Sequence, residues 1–320
     1  MIHRPLRVAC LGECMIELAH QSPSDLKLAY GGDTLNTAIY LNRLTAGLDV
    51  TVDYVTALGD DAYSEAMLAL WQDEGLGINL VTKIPGRLPG LYSIRTDEQG
   101  ERHFTYWRGQ SAAKDFLRDG RDKSLAERLR HHDLLYLSGI TLSILDNEQR
   151  EALLGLIDDV RQQGAKIAFD SNYRPAGWHN RAEACRWFDA ALQQTDIALP
   201  TYDDEQALRD SSDAAETARY FHELGVKQVV VKLGPEGCLL STYEGKEILP
   251  TEPVDDVVDS TAAGDSFNAA YLGGVILGAP PDVAAKHAHR LAGRILRHRG
   301  AIIPKDAMAD LLFEPRAKQV

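Results

Sequence analysis

The stretch Asp259-Ser260-Thr261-Ala262-Ala263-Gly264-Asp265-Ser266-Phe267-Asn268 sets a carboxylate just inside the start of an apolar helix. Val257-Val258 precede it, and Phe267, Ala270, Tyr271 and Gly274 follow at helical spacing. The first turn of a helix presents unpaired N–H groups and the positive end of the macrodipole, so it draws in an anion such as a phosphate. The small residues Ala262, Ala263 and Gly264 let that anion come close to the backbone. Asp265 would then stand beside it, placed to take a proton from an attacking hydroxyl. The pattern suits phosphoryl transfer, and it equally suits an idle N-cap with a carboxylate that favours the dipole.

A second glycine-led helix start is Gly31-Gly32-Asp33-Thr34-Leu35-Asn36-Thr37-Ala38, continued by Leu35, Ala38 and Ile39 as an apolar face. Paired glycines would let a polyhydroxylated ligand touch backbone, with Asp33 and Asn36 supplying hydrogen bonds. The plainer alternative is a turn followed by a helix capped by Asp33.

Composition narrows the classes. The 320 residues carry a net charge of -13, which argues against a general nucleic-acid or anionic-membrane binder. With 44% hydrophobic and 25% charged residues, the chain can build a sizeable soluble core. Cys10, Cys14, Cys185 and Cys238 form no C-x-x-C, so reduced thiols are expected, with Cys10 and Cys14 packed in or beside the first strand. The histidines show no zinc-site spacing, and His131-His132 reads as a solvated loop. No run of about 18 apolar residues marks a membrane span, and the N-terminus has no signal-peptide pattern, so a cytoplasmic location is expected.

The elements that must hold these groups alternate. Strands are expected at Leu6–Gly12, Val52–Leu58, Leu134–Ser138, Lys166–Asp170, Asp196–Leu199 and Gln228–Lys232. Helices fall between them near Asp33–Leu44, Ala62–Glu74, Glu148–Gln163, Arg181–Gln193 and Asp213–Leu224. Such alternation predicts an α/β fold, a mostly parallel sheet with helices on both faces and ligands at the carboxyl ends of its strands. Leu91–Thr96 and Arg102–Trp107 flank the turn Asp97-Glu98-Gln99-Gly100 as a hairpin. With Met15–Ala19 and Lys27–Tyr30 it would build a small antiparallel sheet beside the core. One domain spanning 1–320 is expected, with this β lid drawn from about 13–31 and 89–108. Two further strands within Lys232–Ser241 are joined by Leu233-Gly234-Pro235-Glu236-Gly237.

Gly31-Gly32-x-x-x-Asn36 together with Asp259-x-Thr-Ala-Ala-Gly264-Asp265 resembles the PfkB, or ribokinase-like, carbohydrate kinase family. Within it, Gly12-Glu13-Cys14-Met15-Ile16-Glu17-Leu18, Arg87-Leu88-Pro89-Gly90-Leu91-Tyr92, Phe169-Asp170-Ser171-Asn172-Tyr173-Arg174-Pro175 and Arg299-Gly300-Ala301-Ile302-Ile303-Pro304 are similar to the keto-deoxygluconate kinase subgroup. The resemblance implies a three-layer α/β/α core with a β-sheet lid, and ATP-dependent phosphorylation of a keto sugar acid at its terminal hydroxyl.

It implies Asp265 as the base and the amides of Ala262, Ala263 and Gly264 as the anion hole. Gly31, Gly32, Asp33, Asn36, Tyr92, Tyr106, Arg108 and Arg174 would bind the sugar, the two arginines taking its carboxylate. Asn172, Arg174, Lys232, Gly234 and Gly237 would approach ATP. Mg²⁺ would accompany the nucleotide, with Glu205 of Tyr202-Asp203-Asp204-Glu205 reaching it through water. A homodimer through the lid follows from its exposed edges.

One departure stands out. The wider family usually has Gly where this chain has Ala262, and an alanine there implies an ordinary backbone conformation. A neutral-sugar kinase of the same family and a non-catalytic sugar sensor stay open. A dinucleotide oxidoreductase does not, since no G-x-G-x-x-G follows the first strand.

Overall fold

The computed structural model describes residues 4–22, 24–96 and 102–314, so the turn expected at 97–100 lies outside the described residues. Fourteen strands are described there: β1 (Leu6–Leu11), β2 (Met15–Ser22), β3 (Asp25–Gly31), β4 (Val50–Val55), β5 (Ala57–Leu58), β6 (Thr82–Lys83), β7 (Gly90–Thr96), β8 (Arg102–Trp107), β9 (Leu134–Ser138), β10 (Lys166–Asp170), β11 (Ile197–Ala198), β12 (Gln228–Lys232), β13 (Cys238–Thr242) and β14 (Gly245–Leu249). The main sheet runs β14-β13-β12-β11-β10-β9-β1-β4. From β12 to β4 every pair is parallel, and β13 and β14 add an antiparallel edge.

The six parallel strands are apolar runs because helices cover both faces. Val8, Cys10, Tyr136 and Ala168 face one buried cluster; Ala9, Leu11, Leu135 and Phe169 face the other. The first cluster includes helices Asp33–Leu44 and Ala263–Ile276, which pack on each other. Residues 266–274 of the second helix are buried all round, the expected burial for so apolar a segment. The three-layer α/β/α core agrees with the alternation read from the sequence.

The small sheet has the order β3-β2-β7-β8, and here the expectation needs correcting. It is mixed rather than antiparallel, because β2 pairs with β7 in parallel, Glu17 opposite Tyr92. The 58-residue span between Gly31 and Gly90 passes through the core and returns, so β7 re-enters alongside β2 in the same direction. A second correction concerns His132. It is buried, with Nε2 2.9 Å from Asp53 Oδ2 and Nδ1 3.1 Å from the Leu129 carbonyl, and so ties β4 to the start of β9. All four cysteines are free, with Cys10 in β1 and Cys14 just beyond it.

Candidate active site

The carboxyl ends of the parallel strands supply the site. β1 runs into Gly12-Glu13, β10 into Ser171-Asn172-Tyr173-Arg174, β11 into Thr201 and β12 ends at Lys232. Over them converge the starts of helices Asp33–Leu44 and Ala263–Ile276.

Asp265 lies in the first turn of its helix. Asn36 Nδ2 donates to Asp265 Oδ2 at 2.8 Å, and Thr37 Oγ1 donates to the Asp265 carbonyl at 3.2 Å. The residue retains some solvent exposure, yet its carboxyl lies deep among protein atoms. That desolvation, with the nearby Asp33 carboxylate, pushes it up to about 7, while the Asn36 N–H and the Lys232 ammonium oppose the rise. A carboxyl poised there can act as a base near neutral pH.

The helix start departs from expectation at Ala262. This N-cap residue has φ 61 and ψ 12, the left-handed conformation, and not the ordinary one that alanine implies. The preceding loop is pinned: Asp259 Oδ1 accepts from Thr261 N at 2.9 Å and Thr261 Oγ1 at 2.6 Å, and its Oδ2 accepts from Gly300 N at 3.0 Å. Beyond it, Ala263 N already reaches the Ser260 carbonyl at 3.3 Å. Gly264 and Asp265 therefore carry the free N–H groups of the first turn. A methyl on Gly264 would meet only Lys232 Nζ, 3.7 Å away, so an ammonium borders the open space over the helix start.

Lys232 is itself buried. Its Nζ donates to Asp170 Oδ2 at 2.7 Å and Asn268 Oδ1 at 3.1 Å, and Asn268 Nδ2 donates to the same Asp170 oxygen at 2.6 Å. Gly234 and Gly237, both with positive φ, turn the chain after β12. With Lys232, Gly264, Phe267 and Val254 they line a largely apolar cavity of about 430 Å³ that reaches the helix start. A flat base against apolar walls and phosphates over free N–H groups fit this space. His289 also lines it, stacked edge-on against Phe267 at 5.1 Å, with burial lowering its pKa and Nε2 lacking a hydrogen-bond partner. Sequence reading missed His289, which only helix packing brings there. A larger cavity, about 550 Å³, lies at the amino ends of β10 and β12, and its wall residues Asp196 and Lys227 are paired with each other.

The sugar-side residues gather less simply. Gly31 and Gly32 are small for the chain's own sake: a Cβ would come 2.6 Å from the Tyr92 hydroxyl at Gly31 and 2.1 Å from the Glu13 carbonyl at Gly32. Gly32, not Asp33, is the N-cap, and Asp33 caps nothing. Its carboxylate instead accepts from Asn172 Nδ2 at 2.8 Å, which places Asn172 between the two halves of the site. Tyr92 donates to Glu17 and packs, with its ring tilted by 36°, at 5.9 Å from Tyr106, itself half exposed. Arg108 lies one residue past β8 and is held by Glu13.

Arg174 extends an exposed guanidinium to Asp204 Oδ1 at 3.0 Å. Burial raises the Asp204 pKa, partly offset by Arg174 and Lys232 and reinforced by Asp170. Glu205 is elsewhere engaged: fully buried, it takes Arg209 Nε at 3.1 Å within a cluster that includes Asp189. Of the two adjacent carboxylates, Asp204 is the one that meets Arg174. Among the described residues no cluster of three or more His, Cys, Asp or Glu forms a metal cage.

Residues 6–308 match the pfkB family of carbohydrate kinases, and the chain belongs to that family. It is 44% identical over 305 residues to the 2-dehydro-3-deoxygluconokinase of Escherichia coli strain K12, covering 94% of this chain and 98% of the relative. The enzyme of the same name from Dickeya dadantii is 43% identical over the same span and shares. The crystal structure of 2-dehydro-3-deoxygluconokinase from Thermotoga maritima superposes with a TM-score of 0.82 at 18% identity, over 97% of this chain and 98% of that one. This last likeness is one of fold.

Proposed function

We propose that this carbohydrate kinase transfers the terminal phosphoryl group of ATP to the terminal hydroxyl of 2-keto-3-deoxy-D-gluconate, giving the 6-phosphate and ADP. The observation that carries the reading is the meeting of Asn36 with Asp265, 2.8 Å apart, at the mouth of a helix whose first turn has free N–H groups. The acceptor sugar follows from relatives of that name aligned over nearly their whole length.

Asp265 takes the proton from the C6 hydroxyl as its oxygen attacks the γ-phosphorus, and the bond to ADP breaks. The Gly264 and Asp265 amides and the Lys232 ammonium hold the charge that builds on the transferring group, in fixed positions and away from bulk water. Asn172 joins the sugar and nucleotide sides through Asp33. Arg108 and Arg174 receive the substrate's carboxylate and the phosphates. Mg²⁺ would neutralise phosphate charge, held chiefly by nucleotide oxygens and water with Asp204 as the protein carboxylate, since this ion keeps several waters.

The small sheet of β2, β3, β7 and β8 acts as a lid over the sugar. Phe104, Tyr106, Trp107, Leu26 and Leu28 are exposed on it and suit a homodimer between lids. A single sedimenting species at monomer mass would sink that part. Free cysteines and the absence, among the described residues, of a helix able to cross a membrane fit a cytoplasmic enzyme.

Glu13 already offsets the charge of Arg108, and this favours a second reading, a neutral sugar. A coupled ADP-release assay on keto-deoxygluconate, gluconate, fructose and ribose decides. The keto acid should give the highest kcat/KM; preference for fructose or ribose would retire the substrate while leaving the kinase.

A further inference from the structure

Glu13 has no part in the chemistry above, yet it stands where the chain leaves β1 for the lid. It is 3% exposed. Arg108 Nη2 holds its Oε2, while its Oε1 is buried with no hydrogen-bond partner. Arg108 Nε is also buried and unpartnered. Burying a carboxylate oxygen unmatched is costly, and the cost is recovered only when a donor arrives.

The surroundings are shaped around this carboxylate. Gly32 backs onto the Glu13 carbonyl and leads directly into Asp33 and Asn36. On the lid side, a Cβ at Gly90 would come 2.8 Å from Glu13 Oε1 and 3.1 Å from Arg108 Cβ. Gly90 thus leaves room for the acidic side chain, and Gly32 for the backbone that carries it, between the small sheet and the sugar-side helix start.

We infer that Glu13 is a sugar-binding residue, Oε1 accepting a hydrogen bond from a substrate hydroxyl while Oε2 fixes Arg108. An ionised carboxylate only accepts, so it selects a ligand with a hydroxyl donor at that place. The five donors of Arg108 suffice for Glu13 and a ligand carboxylate together. This last clause rests on the keto-acid reading; the hydroxyl contact does not.

Steady-state kinetics of Glu13→Gln and Gly90→Ala, with calorimetric sugar binding and thermal melts, test it. In Glu13→Gln the amide oxygen must stay on Arg108, which turns an NH₂ toward the ligand in place of an acceptor. The sugar KM and Kd should rise by about 10-fold or more, with the ATP KM unchanged and kcat largely kept. Gly90→Ala, crowding Oε1, should give the same split, and it decides alone if the first variant does not fold. Unchanged or lowered sugar KM overturns the inference, as does a parallel loss in sugar KM, ATP KM and kcat. If the wild type prefers a neutral sugar, the keto-acid reading fails, and the split measured with that sugar still decides the role of Glu13.

Discussion

Asn36 donates to Asp265 across 2.8 Å although 229 residues separate them in the chain. The bond joins the starts of two helices, one from each glycine motif, and in the proposed mechanism it is the contact through which sugar and nucleotide halves become one site. It also stabilises the charged form of the carboxyl proposed as the base, against burial and Asp33.

A pH dependence follows. With the Asp265 pKa at about 7, log kcat/KM should rise with unit slope below neutrality and level off above it. Removing the N–H donor in Asn36→Ala should move the inflection to higher pH. An inflection that stays in place in that variant would disconnect the two residues.

The same shift has a stability consequence of definite sign. Between the ordinary carboxylate value of about 4 and about 7, folded Asp265 holds a proton that the unfolded chain has lost, so its contribution to stability falls as pH rises through that window. Asp265→Asn should therefore melt higher than the wild type at pH 8, with the gap closing toward pH 4. Urea melts at the two pH values measure this.

Gly264→Ala should separate stability from turnover. Gly264 has no positive φ and its added methyl meets only Lys232 Nζ, at 3.7 Å, so the helix gains up to about 1 kcal/mol from propensity. The methyl also enters the space over the free N–H groups. We expect an unchanged or higher Tm and an ATP KM raised about 10-fold, an unfavourable 1.4 kcal/mol.

Ala262→Gly probes the left-handed N-cap. An L-residue costs about 1–2 kcal/mol in that conformation, and glycine's greater freedom when unfolded takes back about half. A net stabilisation of about 0.5–1 kcal/mol is expected in denaturant titrations. A destabilised variant would mean that residue 262 is not left-handed in solution.

Much of this was legible in the residues and some was not. Alternating apolar runs located the strands and helices of the core, because burial on both faces leaves that mark on sequence. The parallel pairing of β2 with β7 was not visible, since nothing local tells a strand which distant neighbour it will meet. Asp265 and Asn36 were found through glycine-led helix starts. That Asp204 meets Arg174 while Glu205 meets Arg209 is not legible either, because adjacent carboxylates differ only in which way the helix turns them. Ala262 differs for a simpler reason: alanine carries no signal of positive φ, and the loop before it is held both locally, by Asp259 on Thr261, and from a distance, by Asp259 on Gly300. Glu13 did leave a trace, a lone acid between buried stretches, whose meaning depends on Arg108 arriving from 95 residues away.

The most direct test is single-turnover phosphorylation of keto-deoxygluconate by Asp265→Asn, with sugar and ATP binding measured in parallel. Both ligands should bind, and the chemical step should slow by about 10²–10⁴-fold, the usual contribution of a general base. Normal binding with an undiminished chemical step would contradict that role.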